Sequence, residues 1–388
     1  MKLLDGFSCL QGEYLFSKTA KSVAGFKKLY PDAPLYKMGI GDVTMPLPKC
    51  VVAAMKKASG EMADKKTFKG YGDEQGYLFL RQAIKNHYNK YGIDIETDEI
   101  FVGDGAKSDL YRLSTLFSKD NIVLLQNPVY PAYLDINLLF GRTIKYVYGN
   151  EQNNFLPMPP DEKVHLIYLC SPNNPTGAQY DIAGLKAWVD YAKDIGAVII
   201  FDNAYADYGE KNIKSIYAVD GADEVAIEVN SFSKNAGFSG VRCGYTIVPK
   251  KLSKIYFAYK RLLQSSFNGV SYITQCGALA VFTQDGCSEI NRNIKKYIHN
   301  ADIIKSKLRL KNAFFTGFAP YVFLKVPSGY NSWSFFEELL SKGVVVTPGA
   351  GFGDGGRNYI RLSAFSNKED TAIKVNPVFS FIGLPECG

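Results

Sequence analysis

Between residues 100 and 248 the chain alternates short β-branched runs with amphipathic stretches, and this alternation leaves it few folds. The apolar runs fall at 100–102, 122–125, 166–169, 198–201, 225–229 and 245–248. Stretches such as 108–117 and 181–193 lie between them, with apolar residues at helical spacing. Strand–helix alternation predicts a mostly parallel sheet covered by helices. In such sheets ligands gather at the carboxyl ends of the strands. Those ends carry Gly103-Asp104-Gly105, Asn127-Pro128, residues 171–177, Asp202 and residues 230–234, the most polar and Gly/Pro-rich places in the region.

The flanks read differently. Residues 252–282 read as a long helical connection. A charged helix at 291–308 and extended segments at 321–326, 344–347 and 359–363 resemble a smaller α+β domain. The first forty residues read as an arm with a strand packed on it, ending at Pro46-Leu47-Pro48. A chain of 388 residues suits two domains. The expected division is an arm and part of the small domain at 1–45, a large domain with its connecting helix at 46–285, and a small domain at 286–388.

Charge and cysteine usage exclude several functions. The net charge of +7 rests on 45 basic and 38 acidic residues spread along the chain. Nucleic-acid binding would want a concentrated basic stripe, and none occurs. A mild positive field does suit anionic ligands. Seven cysteines without CxxC spacing read as free thiols in a reducing cytoplasm. The histidines at 87, 165 and 299 have no metal-ligand spacing, so no metal is expected. Apolar runs such as 197–201 are too short to span a bilayer.

The strand ends carry the chemistry. Ser231-Phe232-Ser233-Lys234 follows an apolar strand, with Gly237, Gly240 and Arg242 after it. Hydroxyls, flexible backbone and a guanidinium are what a phosphate dianion needs. A lysine amine beside such a site can condense with an aldehyde cofactor. Asp202 closes the run 198–201. It could be a metal ligand, a helix cap, a structural residue, or the carboxylate that keeps a pyridine nitrogen protonated. Tyr205 could donate to a phenolic oxygen on the same ring. Ser171-Pro172-Asn173-Asn174-Pro175-Thr176-Gly177 is a turn after a strand, from which Asn174 can reach that oxygen. Gly103-Asp104-Gly105-Ala106-Lys107 turns from strand into helix, where backbone N–H groups bind phosphate. It is not GxxxxGK[ST], so a nucleotide P-loop is not supported. Tyr130 is placed to stack on a planar ring. Arg361, in Tyr359-Ile360-Arg361-Leu362-Ser363, falls on the strand face opposite Ile360 and Leu362. It is either paired with an acid or free to grip a substrate carboxylate.

Taken together, residues from about Tyr36 to Phe365 resemble the fold-type I aminotransferases that depend on pyridoxal 5′-phosphate. The resemblance implies a three-layer α/β/α large domain with a mostly parallel seven-stranded sheet, plus a smaller α+β domain. It makes Lys234 the lysine that carries the cofactor and the substrate proton. Asp202 would pair with the ring nitrogen, and Tyr205 and Asn174 would bind the ring oxygen. Gly105, Ala106, Lys107, Ser231, Ser233 and Arg242 would surround the phosphate, Tyr130 would stack on the ring, and Arg361 would hold the α-carboxylate.

A narrower likeness rests on Gly12-Glu13-Tyr14-Leu15-Phe16, Ile40-Gly41-Asp42-Val43-Thr44-Met45-Pro46-Leu47-Pro48 and Phe68-Lys69-Gly70-Tyr71-Gly72-Asp73-Glu74-Gln75-Gly76-Tyr77. Residues 103–109 and Phe267-Asn268-Gly269 extend it. These resemble the LL-diaminopimelate aminotransferases. That likeness implies a homodimer with shared active sites, in which Tyr71, Glu74 and Asn268 serve the partner's site and Tyr71 also touches its cofactor. Tyr14, Glu74, Lys107 and Asn268 would read the far end of the substrate, with Gly41 close to it. Amino acids and 2-oxo acids would be the substrates, 2-oxoglutarate among them. An aminotransferase for aromatic or small amino acids, a β-lyase, and a non-catalytic cofactor-binding protein are the competing readings. After Phe365 the family continues with an amphipathic helix, whereas here Pro and Gly interrupt the tail.

Overall fold

The computed structural model describes residues 4–10, 12–39, 41–209, 213–309, 314–316, 320–366, 376 and 378. Ile40 and most of the atypical tail after Phe365 lie outside these residues. The strands are β1 (Tyr36–Lys37), β2 (Ile100–Gly103), β3 (Ile122–Asn127), β4 (Thr143–Tyr148), β5 (Leu166–Cys170), β6 (Val198–Asp202), β7 (Ala226–Ser231) and β8 (Gly244–Ile247). They continue with β9 (Phe315–Thr316), β10 (Tyr321–Lys325), β11 (Val344–Val345), β12 (Thr347–Pro348) and β13 (Tyr359–Ser363).

Seven strands form one sheet in the order β2-β8-β7-β6-β5-β3-β4. All neighbours are parallel except β8, which runs against both β7 and β2. The carboxyl ends of β2, β3, β5, β6 and β7 therefore share one edge. β4 was not among the segments expected from apolar runs. It is an edge strand in which only Val147 is buried and Tyr146 and Tyr148 are exposed, so it lacks the continuous apolar run of a central strand.

Both faces are covered, as the three-layer expectation requires. On one face Leu124, Ile167, Leu169, Ile199 and Phe201 pack against Leu185, Trp188, Val189 and Ala192 of the helix Ile182–Ile195. Asp181 caps that helix by accepting from the Gly184 N–H, and Gly196, with φ of 71°, ends it. On the other face Leu125, Tyr168, Ile200 and Val229 meet helices carrying Ile84, Leu110, Tyr133 and Tyr259. Side chains alternate along a strand, so Asp202 shares its face with Ile200.

A second sheet, β12-β13-β10-β9, is antiparallel and packs Val322, Leu324, Ile360 and Leu362 on Phe335, Phe336 and Leu339. β1 pairs in parallel with β11, so the start of the chain is stitched to residues 344–345. Two expectations need correction. The first forty residues also contain a helix, Leu15–Leu29, and the connection at 252–282 is two helices, Ser253–Ser266 and Tyr272–Ala280. The break holds Gly269 at φ of 79°, a left-handed conformation that interrupts helical hydrogen bonding.

The small sheet is fastened to the strand ends of the large one. Val129 N–H donates to Phe352 O at 2.8 Å, and Gly355 N–H donates to Asn127 Oδ1 at 3.0 Å. A Cβ on Gly353, whose φ is 120°, would lie 2.3 Å from Asn127 Oδ1, so only glycine fits there.

Trp188 is fully buried at the centre of one helix–sheet layer. Trp188→Ala is expected to lower stability by about 3–5 kcal/mol, read as a lower urea midpoint.

Candidate active site

The carboxyl edge of the large sheet opens into a cavity of about 390 Å³. Asp202, Tyr205, Lys234, Asn174, Arg361, Arg242, Ser231 and Ser233 all line it, with Gly41, Ala106, Lys107 and Tyr130. Residues scattered over more than 300 positions thus meet in one space. Lys234 and Asp202 face the same cavity.

Each functional side chain has a structural reason for its position. β7 ends at Ser231, whose hydroxyl accepts from the Ser233 N–H at 3.1 Å and starts the short helix Phe232–Asn235. That turn aims Lys234 into the cavity, where its Nζ donates to the Gly41 carbonyl. Asp202 ends β6, accepts from the Tyr133 hydroxyl, and accepts from the Ala204 N–H at 3.0 Å. Tyr205 follows in the next turn and shares a 3.0 Å hydrogen bond with the Tyr321 hydroxyl.

At the other wall, Arg361 is fully buried on β13. Its neighbours Ile360 and Leu362 enter the small core, while Arg361 faces the cavity with Phe323 and Thr347 across from it. One Nη donates to Asn174 Oδ1 at 2.7 Å and the other to Gly39 O at 3.0 Å. The guanidinium carbon lies 4.2 Å from the Tyr321 ring centroid. Nε has no partner, and among the described residues no carboxylate pairs with this arginine. Asn174 presents its oxygen to Arg361, which leaves its NH₂ as the donor end.

The glycine-rich turn forms the cavity's third wall. Gly105, at φ of 126°, precedes the helix Ala106–Ser114. A Cβ on Gly105 would sit 2.3 Å from Arg242 Nη2, and one on Gly244 would sit 3.1 Å from Gly105 Cα. Two glycines therefore let Arg242 and β8 close on the turn. Arg242 itself has φ of 69°, and its Nη1 donates to Ser239 O at 3.0 Å. Tyr130 caps the helix Pro131–Leu139 at the rim. Tyr14 stands beside Tyr130, and Lys107 Nζ lies 5.1 Å from the Tyr14 ring centroid.

Not every expected residue reaches this cavity. Tyr71 is 89% exposed, and Asn268 is exposed as well. Glu74 lines a separate hollow with Asp73, Gln75 and Lys260. Several cavity residues had no role assigned from the sequence, although Phe16 and Asp42 lie within the motifs at 12–16 and 40–48. Tyr133, Tyr321, Phe16, Asp42 and Ser239 line it too, yet only packing brings Tyr133 to Asp202 and Tyr321 to Tyr205 and Arg361.

Burial shapes the titration of the site. It raises the Asp202 carboxyl above its ordinary range, against the Tyr133 hydroxyl, the Ala204 N–H and Lys234, which pull it down. Burial likewise pushes Tyr130 up, helped by the neighbouring Tyr14 hydroxyl, and pushes Tyr205 up, helped by Tyr321. Both phenols therefore stay neutral donors. The folded chain holds the Asp202 proton more tightly than the unfolded chain does. That contribution favours folding at low pH and is lost as pH rises from the unfolded value through the folded one. Asp202→Asn is thus expected to raise the melting temperature of the ligand-free protein near pH ~8, with the gain shrinking towards pH ~4. Melts at the two pH values check this.

Comparison with known proteins agrees with this architecture. Residues 33–375 match the family Aminotransferase class I and II. An LL-diaminopimelate aminotransferase of Parabacteroides distasonis is 45% identical, covering 95% of this chain and 96% of its own. One from Methanosphaera stadtmanae is 43% identical, covering 96% and 97%. The solved L,L-diaminopimelate aminotransferase of Chlamydomonas reinhardtii superposes with a TM-score of 0.93 at 37% identity, covering 99% of each chain. A family match across most of the chain, a seven-stranded sheet of the expected kind and a lysine–aspartate–arginine cavity at its carboxyl edge lead to one conclusion: the chain belongs to the class I and II aminotransferases.

Proposed function

We propose that the chain is an LL-diaminopimelate:2-oxoglutarate aminotransferase that uses pyridoxal 5′-phosphate and works as a cytoplasmic homodimer with the domain division 1–45, 46–285 and 286–388. One observation carries the reading. A reactive amine, a buried acid and a guanidinium without a carboxylate partner among the described residues converge on one cavity. The near full-length likeness to LL-diaminopimelate aminotransferases supports the substrate. Unpaired cysteines at every described position favour a reducing compartment.

The donor set fits the cofactor. Gly105, held open against Arg242, joins the Ala106 N–H, Lys107, Ser231 and Ser233 in a cradle for a phosphate dianion. Asp202 is buried where a protonated ring nitrogen would offset its desolvation. Tyr205 and the Asn174 amide are the donors for the ring oxygen, and Tyr130 offers a face for stacking. When bound, the cofactor supplies an electron sink that acidifies the substrate's α-C–H bond.

The protein's own groups do the rest. Arg361 grips the α-carboxylate with two parallel N–H donors, and its burial makes each hydrogen bond stronger than in water. Asn174 and the Gly39 carbonyl hold that fork in one plane. Lys234 Nζ takes the α-proton, a role suited to an amine on a turn anchored at a strand end. Tyr133 orients the Asp202 carboxylate.

Selectivity rests on the far end of the substrate, which bears both an ammonium and a carboxylate. Lys107 and Gly41 line this chain's cavity, and Tyr14 stands beside Lys107 and Tyr130. Tyr71, Glu74 and Asn268 lie outside it, which favours their entry into the partner's cavity. A buried polar group left unpaired penalises simpler amino acids, so such readers discriminate.

Lys234→Ala is expected to abolish turnover and the visible absorbance of lysine-bound cofactor; an active, yellow variant would remove the assignment. Glu74→Ala is expected to raise KM for LL-diaminopimelate by at least about tenfold while glutamate use changes little. Single-turnover spectra with LL-diaminopimelate test the reaction itself. Conversion of the cofactor to its amine form supports transamination, whereas release of pyruvate and ammonia from a cysteine-type substrate would point to a β-lyase.

A further inference from the structure

Arg112 sits on the helix that the glycine-rich turn starts, yet it faces away from the cavity. Its two Nη atoms bind Asp104 and Asp109 at 2.5 Å each. Asp104 belongs to the turn itself. Asp109 is almost completely buried and packs on Gly103, where a Cβ would lie 2.1 Å from its Oδ1. Burial pushes the Asp109 carboxyl up to about 7, against the pull of Arg112. Arg112 therefore clamps both sides of the Gly103–Gly105 turn.

The same guanidinium also lies over an aromatic ring. Its carbon lies 4.1 Å from the Phe267 ring centroid. Phe267 ends the helix Ser253–Ser266 and is followed by Asn268 and Gly269. Gly269, at φ of 79°, lies against the next loop, for its Cβ would be 3.0 Å from Asp73 O and 3.8 Å from Glu74 Cα. The Asn268 turn is thus clasped between Arg112 on one side and the Asp73–Glu74 loop on the other. That loop is tied down by Arg81, which reaches Asp73, and by the Gln75 N–H, which donates to Asp73 Oδ1 at 2.8 Å.

We propose that Arg112 is a positioning residue that couples the anion-binding turn of one active site to the Asn268 turn serving the partner's site. This rests on the reading that Asn268 contacts substrate across the dimer. Its two Nη atoms hold the turn and its carbon lies over the ring, so one rigid group sets both. Lysine can replace the charge but not the plane.

The test uses the cofactor-loaded homodimer, with kcat and KM for LL-diaminopimelate and cofactor affinity by absorbance titration. Arg112→Gln is expected to raise KM by about tenfold, to leave kcat within about twofold, and to loosen the cofactor. Arg112→Lys and Phe267→Leu are expected to show the KM rise while keeping the cofactor. A mixed dimer of Lys234→Ala and Arg112→Gln chains separates positioning from general damage. Its one working Lys234 lies in the Arg112→Gln chain but receives Asn268 from a chain with intact Arg112, so KM returns to the wild-type value. A KM that stays raised in that mixed dimer overturns the proposal. So does an unchanged KM in both Arg112→Gln and Phe267→Leu while Asn268→Ala raises it. If Asn268→Ala leaves KM unchanged, the reading of Asn268 falls first and this coupling falls with it. Should Arg112→Gln fail to fold, Phe267→Leu and Arg112→Lys decide.

Discussion

A buried guanidinium that has no carboxylate partner among the described residues governs this structure. Arg361 is fully enclosed, and a backbone carbonyl, an amide oxygen, a hydroxyl and an aromatic face surround it. Burying a charge without a counter-charge is costly, and neutral acceptors offset only part of that cost. On the proposed function, a substrate carboxylate would complete the arrangement. Asp202 is the converse case, a carboxyl whose pKa is raised by burial. The two groups sit in one cavity but on different sheets, so on the proposed function each would meet a different part of the ligand set.

That division explains why the two sheets must be locked together. Asp202 ends a strand of the large sheet and Lys234 sits on the short helix that follows β7, whereas Arg361 belongs to the small sheet. The Asn127–Gly355 and Val129–Phe352 hydrogen bonds join the end of β3 to the loop before β13. The Gly41 segment closes the gap, with its carbonyl accepting from Lys234 and the Tyr297 hydroxyl accepting from the Thr44 and Met45 N–H groups. Catalytic geometry tolerates little displacement, so these joints matter as much as the residues they align. Arg112 extends the same logic outward, from the anion-binding turn to the surface carrying Asn268.

Lys234 was legible because its evidence is local: an apolar strand, two hydroxyls and a following arginine occupy one short stretch. Asp202 and Arg361 were legible for the same reason, since strand alternation decides which face each takes. β4 was not, because an edge strand need not be apolar throughout. The helix Leu15–Leu29 escaped because half its residues remain exposed and only Leu15 is fully buried, its covered stripe including Thr19, Ser22 and Lys27. The break at Gly269 was missed although Asn268-Gly269 is itself a turn signal within the long helical reading. Tyr133 and Tyr321 looked like ordinary core aromatics, and only the hydroxyls they present to Asp202 and Tyr205 make them part of the site.

The amino-acid order by itself determined the sheet-and-helix layering, the edge at which chemistry would occur and the residue types gathered there. Those properties follow from periodicity and from short-range turn chemistry, which act over a few residues. The tertiary structure alone decided that Arg361 meets Asn174 rather than an acid, that Asp202 is desolvated, and that Glu74 and Asn268 stand outside this chain's own cavity. Burial and partner choice depend on segments hundreds of residues apart closing on one another. A linear pattern holds no record of that distance.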